Sequence, residues 1–151
     1  MKAIVLRGPN DFSLQEVENP VPSLDDVEMK VLMAGICGTD VSMARGRTPS
    51  VIYPIIPGHE YVGEVLHAPA DSNFKKGDRV TVFPAVGCGK CEACKAGRIP
   101  HCPEAKTVGV LRPGGCFTER VVAHHQRLFL LPKEMENEVG AMVEPTAVAV
   151  H

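Results

Sequence analysis

Four of the six cysteines in this 151-residue chain, Cys88, Cys91, Cys94 and Cys102, fall within one stretch, GCGKCEACKAGRIPHC. Clustered cysteines do one of three things: they cross-link, they exchange electrons as a C-x-x-C pair, or they hold a metal. A redox pair needs a single C-x-x-C at a helix start, whereas Cys88, Cys91 and Cys94 form two overlapping pairs and Cys102 comes after a seven-residue gap. Four soft thiolates from one loop can close a tetrahedral S4 shell, the arrangement zinc takes where no position is left open. A structural zinc lobe over 87–103 is therefore expected. Four thiolates around one divalent ion leave two negative charges in excess, and Lys90, Lys95 and Arg98 lie in the same loop where they could offset them. His101, beside the last cysteine, reads as a surface residue.

Disulfides are rare in reducing compartments, and the sequence points to one. The opening MKAIVLRGPND meets Arg7 before a signal-peptide apolar region could form, and the longest apolar run, Val31 to Cys37, is far short of the ~20 residues of a membrane span. Cytoplasmic localisation is expected. Net charge is −2 with the basic residues scattered, which gives no stripe for nucleic acid or an anionic membrane.

A second set of residues is dispersed. GICGTD (35–40) puts Cys37 where a strand pattern ends at glycines, and GHE (58–60) puts His59 and Glu60 on a loop just before another strand. Cysteine, histidine and glutamate are all competent zinc ligands, and three protein ligands leave room for water or substrate, which is the condition for catalysis. Taken singly, each has a bland reading as a packed cysteine or a satisfied histidine. Cys116, His67, His124 and His125 are given that reading.

The elements that must position these residues are mostly strands. With 14 glycines and 13 prolines, 44% hydrophobic and 23% charged residues, the composition fits one globular domain of many short strands. Strand patterns occupy 2–6, 12–18, 27–35, 61–68, 78–83, 116–123 and 127–131, and the first three read as a meander. From Glu136 the pattern turns helical, apolar at Val139, Met142, Val143, Val148 and Val150, with Pro145 expected to start a new segment. The expected architecture is a mainly β, partly open barrel with the cysteine lobe as an excursion and a C-terminal helical segment. The apolar pattern is still running at His151, so the chain reads as the leading portion of a longer protein.

GICGTD, GHEYVGEV, GDRV and the C-x2-C-x2-C-x7-C lobe, in this order and spacing, resemble the N-terminal GroES-like catalytic domain of zinc-containing medium-chain alcohol dehydrogenases over essentially all 151 residues. The resemblance implies that Cys37 and His59 hold a catalytic zinc with Glu60 as ligand or near-ligand. It also implies that Thr39 takes the substrate proton and that Asp40 orients His59. VEPTAVAVH (143–151) is similar to the stretch where polyol and threonine dehydrogenases carry Glu-Pro, which makes Glu144 a candidate fourth ligand, directly or through water. The implied activity is NAD- or NADP-dependent oxidation of a small-molecule secondary alcohol such as a polyol, sugar alcohol or threonine, by a homo-oligomer in the full-length protein. Ser42 stands where a longer proton relay commonly has histidine, and Pro69 where the zinc signature usually has glycine or alanine.

Hydride transfer needs an acceptor that side chains do not provide. No G-x-G-x-x-G occurs; GCGKCE (87–92) has glutamate at the third glycine position and lies in the cysteine lobe. The Rossmann cofactor domain is thus expected outside this chain, and the isolated 151 residues are expected to be inactive. Two rivals remain: a non-enzymatic zinc-containing barrel serving as a binding module, which has no need of an open ligand set, and a zinc-free quinone-reductase-like relative, which would lack both sets.

Overall fold

A computed structural model describes residues 1–150. Strands β1 (Lys2–Gly8) and β2 (Asp11–Glu16) form an antiparallel hairpin whose turn places Asn10 at φ 59°, a left-handed conformation that asparagine tolerates. The hairpin is a sheet of its own. β3 (Asp26–Ala34) does not continue it; it lies between β8 (Arg120–His124) and β4 (Tyr61–His67) in a five-stranded antiparallel sheet of order β8-β3-β4-β5-β9, with β5 at Arg79–Val82 and β9 at Leu128–Leu130. The expected meander is therefore two separate sheets, and β1 bridges instead to the loop residues Thr118 and Ile55. The five-stranded sheet is open, with β8 and β9 at its edges, as the partly open barrel requires.

Alternation along β3 buries Val27 and Met29 completely, and they pack with Val65, Val80, Val82, Val121, Ala123 and Leu128 into the main core. Gly63 on β4 makes room: a Cβ there would press on Met29 at 3.0 Å. A second cluster, Leu6, Met43, Val51, Ile55 and Val110, fills the space beneath the hairpin.

Three local expectations are corrected. Residues 116–119 are not strand beyond the single bridge at Thr118, since the backbone there turns to pair with the loop before β4. A helix α1 (Gly38–Ala44) begins directly after Cys37, where the sequence suggests only the end of a strand; at seven residues its apolar signal is too short to stand out. Pro145 does not start the last helix: α3 (Asn137–Ala141) gives way at Met142 and α4 runs Val143–Val150, which seats Pro145 in the first turn, where its missing N–H costs nothing. The apolar positions Val139, Met142, Val148 and Val150 are exposed, and α3 docks instead through Ala141 and Gly140, where a Cβ would strike Val62 and Leu131. No described helix is long and apolar enough to cross a membrane.

Candidate metal centres and catalytic cleft

The lobe leaves and rejoins the barrel through a two-stranded ladder, β6 (Ala85–Val86) paired with β7 (Lys106–Thr107). Between them the sulfurs of Cys88, Cys91, Cys94 and Cys102 all lie within 4.8 Å of one another, and all six cysteines of the chain are free. Local structure accounts for the convergence. Cys91 caps the four-residue helix α2 (Glu92–Lys95) and accepts the Cys94 N–H at 3.5 Å, and Gly89 and Gly97 turn the chain at φ 74° and 72°. Cys102 accepts the N–H groups of Cys88 and Glu104, each at 3.3 Å. Backbone donors aimed at sulfur favour the thiolate. The Lys90 N–H brings Cys88 down to about 7, whereas burial pushes Cys94 up to about 12. A free cluster therefore does not ionise fully near neutrality, and a soft cation is what four convergent thiols with no disulfide can accommodate. The donor set fits zinc. Of the cations expected to offset its charge, Lys95 is paired with Glu92 at 3.1 Å and Lys90 with Glu104 at 4.0 Å, so amides carry more of that task than the sequence suggests.

The dispersed residues also converge. Ala34, the last residue of β3, pairs with Tyr61, the first of β4, and the Gly35 N–H continues the ladder to the Glu60 carbonyl at 2.8 Å. The turn leaving β3 and the loop entering β4 are consequently neighbours at one sheet end. Donor atoms of Cys37, His59 and Glu60 lie within 4.8 Å of one another, with His59 and Glu60 buried and Cys37 half-buried. A Cβ at Gly35 would meet a Glu60 carboxylate oxygen at 2.5 Å, so any side chain there would push that carboxylate out of place.

Asp40, buried on α1, accepts the Cys37 N–H at 2.9 Å and the Gly58 N–H at 3.1 Å, and its Oδ1 stands 3.9 Å from His59 Nδ1. Burial pushes the Asp40 carboxyl up, while the two backbone donors and His59 pull it down. His59 Nδ1 is buried without a hydrogen-bond partner. An imidazole left so poorly satisfied between a carboxylate and two further ligand-type groups fits a metal-bound histidine.

The trio opens onto a cleft of about 400 Å³. Thr39 lines it from α1 and Glu144 from α4. Burial raises the Glu144 carboxyl, His59 lowering it and Glu60 adding to the rise, so Glu144 lies within electrostatic reach of the trio although outside the 4.8 Å group. Phe83, Pro100, Thr107 and Val110 are among the other residues of the walls. Sequence reasoning missed these four; the pairing of β6 with β7, which brings the root of the lobe to the cleft, has no local signature in so short a ladder. Of the expected set, the structure thus unites Cys37, His59 and Glu60, places Asp40 behind them, and puts Thr39 and Glu144 on the cleft wall. His151 lies outside the described residues. Cys116 is buried as expected.

Residues 23–133 match the family model described as alcohol dehydrogenase GroES-like domain. A sorbitol dehydrogenase of Bacillus subtilis is 35% identical over 155 residues, covering 100% of this chain and 44% of that protein. An L-threonine 3-dehydrogenase of Pectobacterium carotovorum is 36% identical over 157 residues, with 100% and 45% covered. Among solved structures, the short chain alcohol dehydrogenase rspB of E. coli CFT073, complexed with NADH, superposes with a TM-score of 0.89 at 34% identity, covering 99% of this chain and 44% of that one. The chain thus spans less than half the length of these relatives.

Proposed function

The chain belongs to the zinc-type medium-chain alcohol and polyol dehydrogenase family, whose GroES-like domain it carries, and on that premise we propose that it supplies the alcohol-binding half of an NAD(P)-dependent dehydrogenase. The single observation that carries this reading is the Cys37, His59 and Glu60 trio at the floor of an open cleft. Cys37 and His59 are its metal ligands, Glu60 and Glu144 its carboxylate partners, directly or through water, and Cys88, Cys91, Cys94 and Cys102 hold a separate structural zinc. When bound, the catalytic zinc supplies Lewis acidity toward an alcohol oxygen and a nicotinamide supplies the hydride acceptor.

Oxidation of an alcohol carbon releases a proton as well as a hydride. Thr39, whose residue lines the cleft, takes the proton at its hydroxyl oxygen and hands its own outward. Asp40 holds the Cys37 turn and the loop leading into His59 through the Cys37 and Gly58 amides, and faces the His59 ring at 3.9 Å. Phe83, Val110 and Val148 offer an apolar surround that keeps water from the reacting carbon. The substrate class is a polyol, sugar alcohol or hydroxy amino acid such as threonine, supported by the named relatives and by the carboxylate of Glu144. Residues 1–151 act as the catalytic domain with its zinc lobe at 87–103; nicotinamide is bound by sequence outside them, and the full-length protein works as a cytoplasmic homo-oligomer. A binding module would not need ligands converging on an open cleft.

The test compares nicotinamide-dependent oxidation of sorbitol and threonine by this chain and by a form extended through a cofactor domain, with metal content measured for both. Turnover by the extended form alone, with two zinc ions per chain, is expected. Turnover by the short chain, or an inactive extended form, overturns the assignment.

A further inference from the structure

The loop that carries His59 and Glu60 is braced from behind by a second, glycine-rich segment. The Cys116 N–H donates to the Gly58 carbonyl and the Phe117 N–H to the Pro57 carbonyl, each at 3.0 Å, and the Cys116 thiol donates to the Glu60 carbonyl at 3.8 Å. Backbones approach this closely because Gly58, Gly109 and Gly115 lack side chains. A Cβ on Gly115 would collide with the carbonyl oxygens of Ile56 and Pro57, and one on Gly109 with that of Gly58. Reciprocally, a Cβ on Gly58 would meet the Phe117 ring at 2.6 Å and the Cys116 sulfur at 2.7 Å. The obstacles at Gly109 and Gly115 are backbone atoms, so no rotamer change relieves them; residues 56–58 would have to move. On the opposite side Asp40 already holds the Gly58 N–H.

We infer that Gly109 and Gly115 are positioning residues for the His59 and Glu60 donors, acting through the carbonyls of residues 56–58 to fix the spacing of the metal-binding trio. The inference rests on reading that trio as a metal site. Metal coordination tolerates only a few tenths of an ångström in ligand placement, and loss of an outer support costs roughly 10–100-fold in metal affinity. Neither glycine touches the four-cysteine lobe's sulfurs, so their effect is confined to one of the two centres.

Gly114 provides the control. It sits in the same turn at φ +106°, so alanine is strained there, yet its Cβ would meet only Val108 at 3.5 Å, an ordinary contact. Cobalt(II) is titrated into the wild type, Gly115→Ala and Gly114→Ala. The four-thiolate site is followed by its intense charge-transfer absorption, the trio by its separate visible bands, and melting temperature is measured alongside. The wild type is expected to fill two sites. Gly115→Ala should fill the lobe normally and bind at the trio roughly 10–100-fold more weakly, while Gly114→Ala melts lower but fills both. Unchanged trio affinity in Gly115→Ala, loss of both centres together, or equal loss in the two variants overturns the positioning role. A wild type that fills only the lobe overturns the metal reading itself, and the inference with it.

Discussion

Asp40 accepts the backbone N–H of Gly58, 18 residues away in sequence, at 3.1 Å, and its second carboxylate oxygen accepts the N–H of Cys37 at 2.9 Å. One buried carboxylate therefore spans both segments that carry the dispersed donors. Its worth lies less in facing His59 at 3.9 Å than in holding two backbone turns at a fixed separation.

Asp40→Asn tests this. An amide can accept one of the two N–H groups but presents its own NH2 to the other, leaving a buried donor unsatisfied at a cost of about 1–3 kcal/mol. Denaturant unfolding of the metal-free chain should show that loss, and the trio's metal affinity should fall roughly 10–100-fold. An unchanged midpoint and affinity would mean the clamp is unnecessary.

Cys102→Ser separates the two centres. A hydroxyl is a far poorer zinc ligand than a thiolate, and the shorter serine side chain draws the acceptor back from the Cys88 and Glu104 amides. The lobe should lose its metal and the chain on the order of 4 kcal/mol of stability or more, while metal at Cys37 and His59 is retained. Metal analysis and thermal unfolding read both effects.

Metal loading of the lobe should depend steeply on pH. A metal ligand must be a thiolate, so the proton of every thiol whose pKa exceeds the ambient pH has to be displaced. Below pH 7 that includes Cys88, held at about 7, and Cys94, held at about 12; above 7 it still includes Cys94. From these two thiols alone, affinity climbs about 100-fold per pH unit below 7 and about tenfold per unit just above it. Competition with a chelator at pH 6, 7 and 8 measures the slope, and a flat profile would contradict the assignment.

Thr39→Val keeps the side-chain shape but removes the hydroxyl from the cleft. In the cofactor-bearing enzyme kcat should fall about 100-fold or more, with KM, metal content and melting temperature little changed, and Thr39→Ser should restore most of the rate. A rise in KM with kcat unchanged would point to substrate binding instead.

The two groups of converging donors are legible in the sequence because ligand types at short spacing are local signals, as in C-x2-C-x2-C-x7-C, GICGTD and GHE. What brings GICGTD to GHE is not legible, because the pairing of Ala34 with Tyr61 joins residues across a long connection whose helix α1 is only seven residues long. The meander fails for a related reason. β2 and β3 both alternate, and alternation gives a strand its faces without naming its neighbour. The helical segment misleads differently: its apolar positions suggest a buried face, but packing against β4 needs the absence of a side chain at Gly140 more than the valines around it.

Pro100 rides on the 3-10 turn Ile99–His101, between two of the lobe's cysteines, yet it forms part of the rim around the Cys37, His59 and Glu60 trio. Whatever reshapes that finger, be it a different ion, an inserted residue or a lost thiol, also reshapes the mouth of the cleft above the trio. Changes in the finger can thereby alter what the cleft admits while leaving Cys37, His59 and Glu60 beneath it untouched.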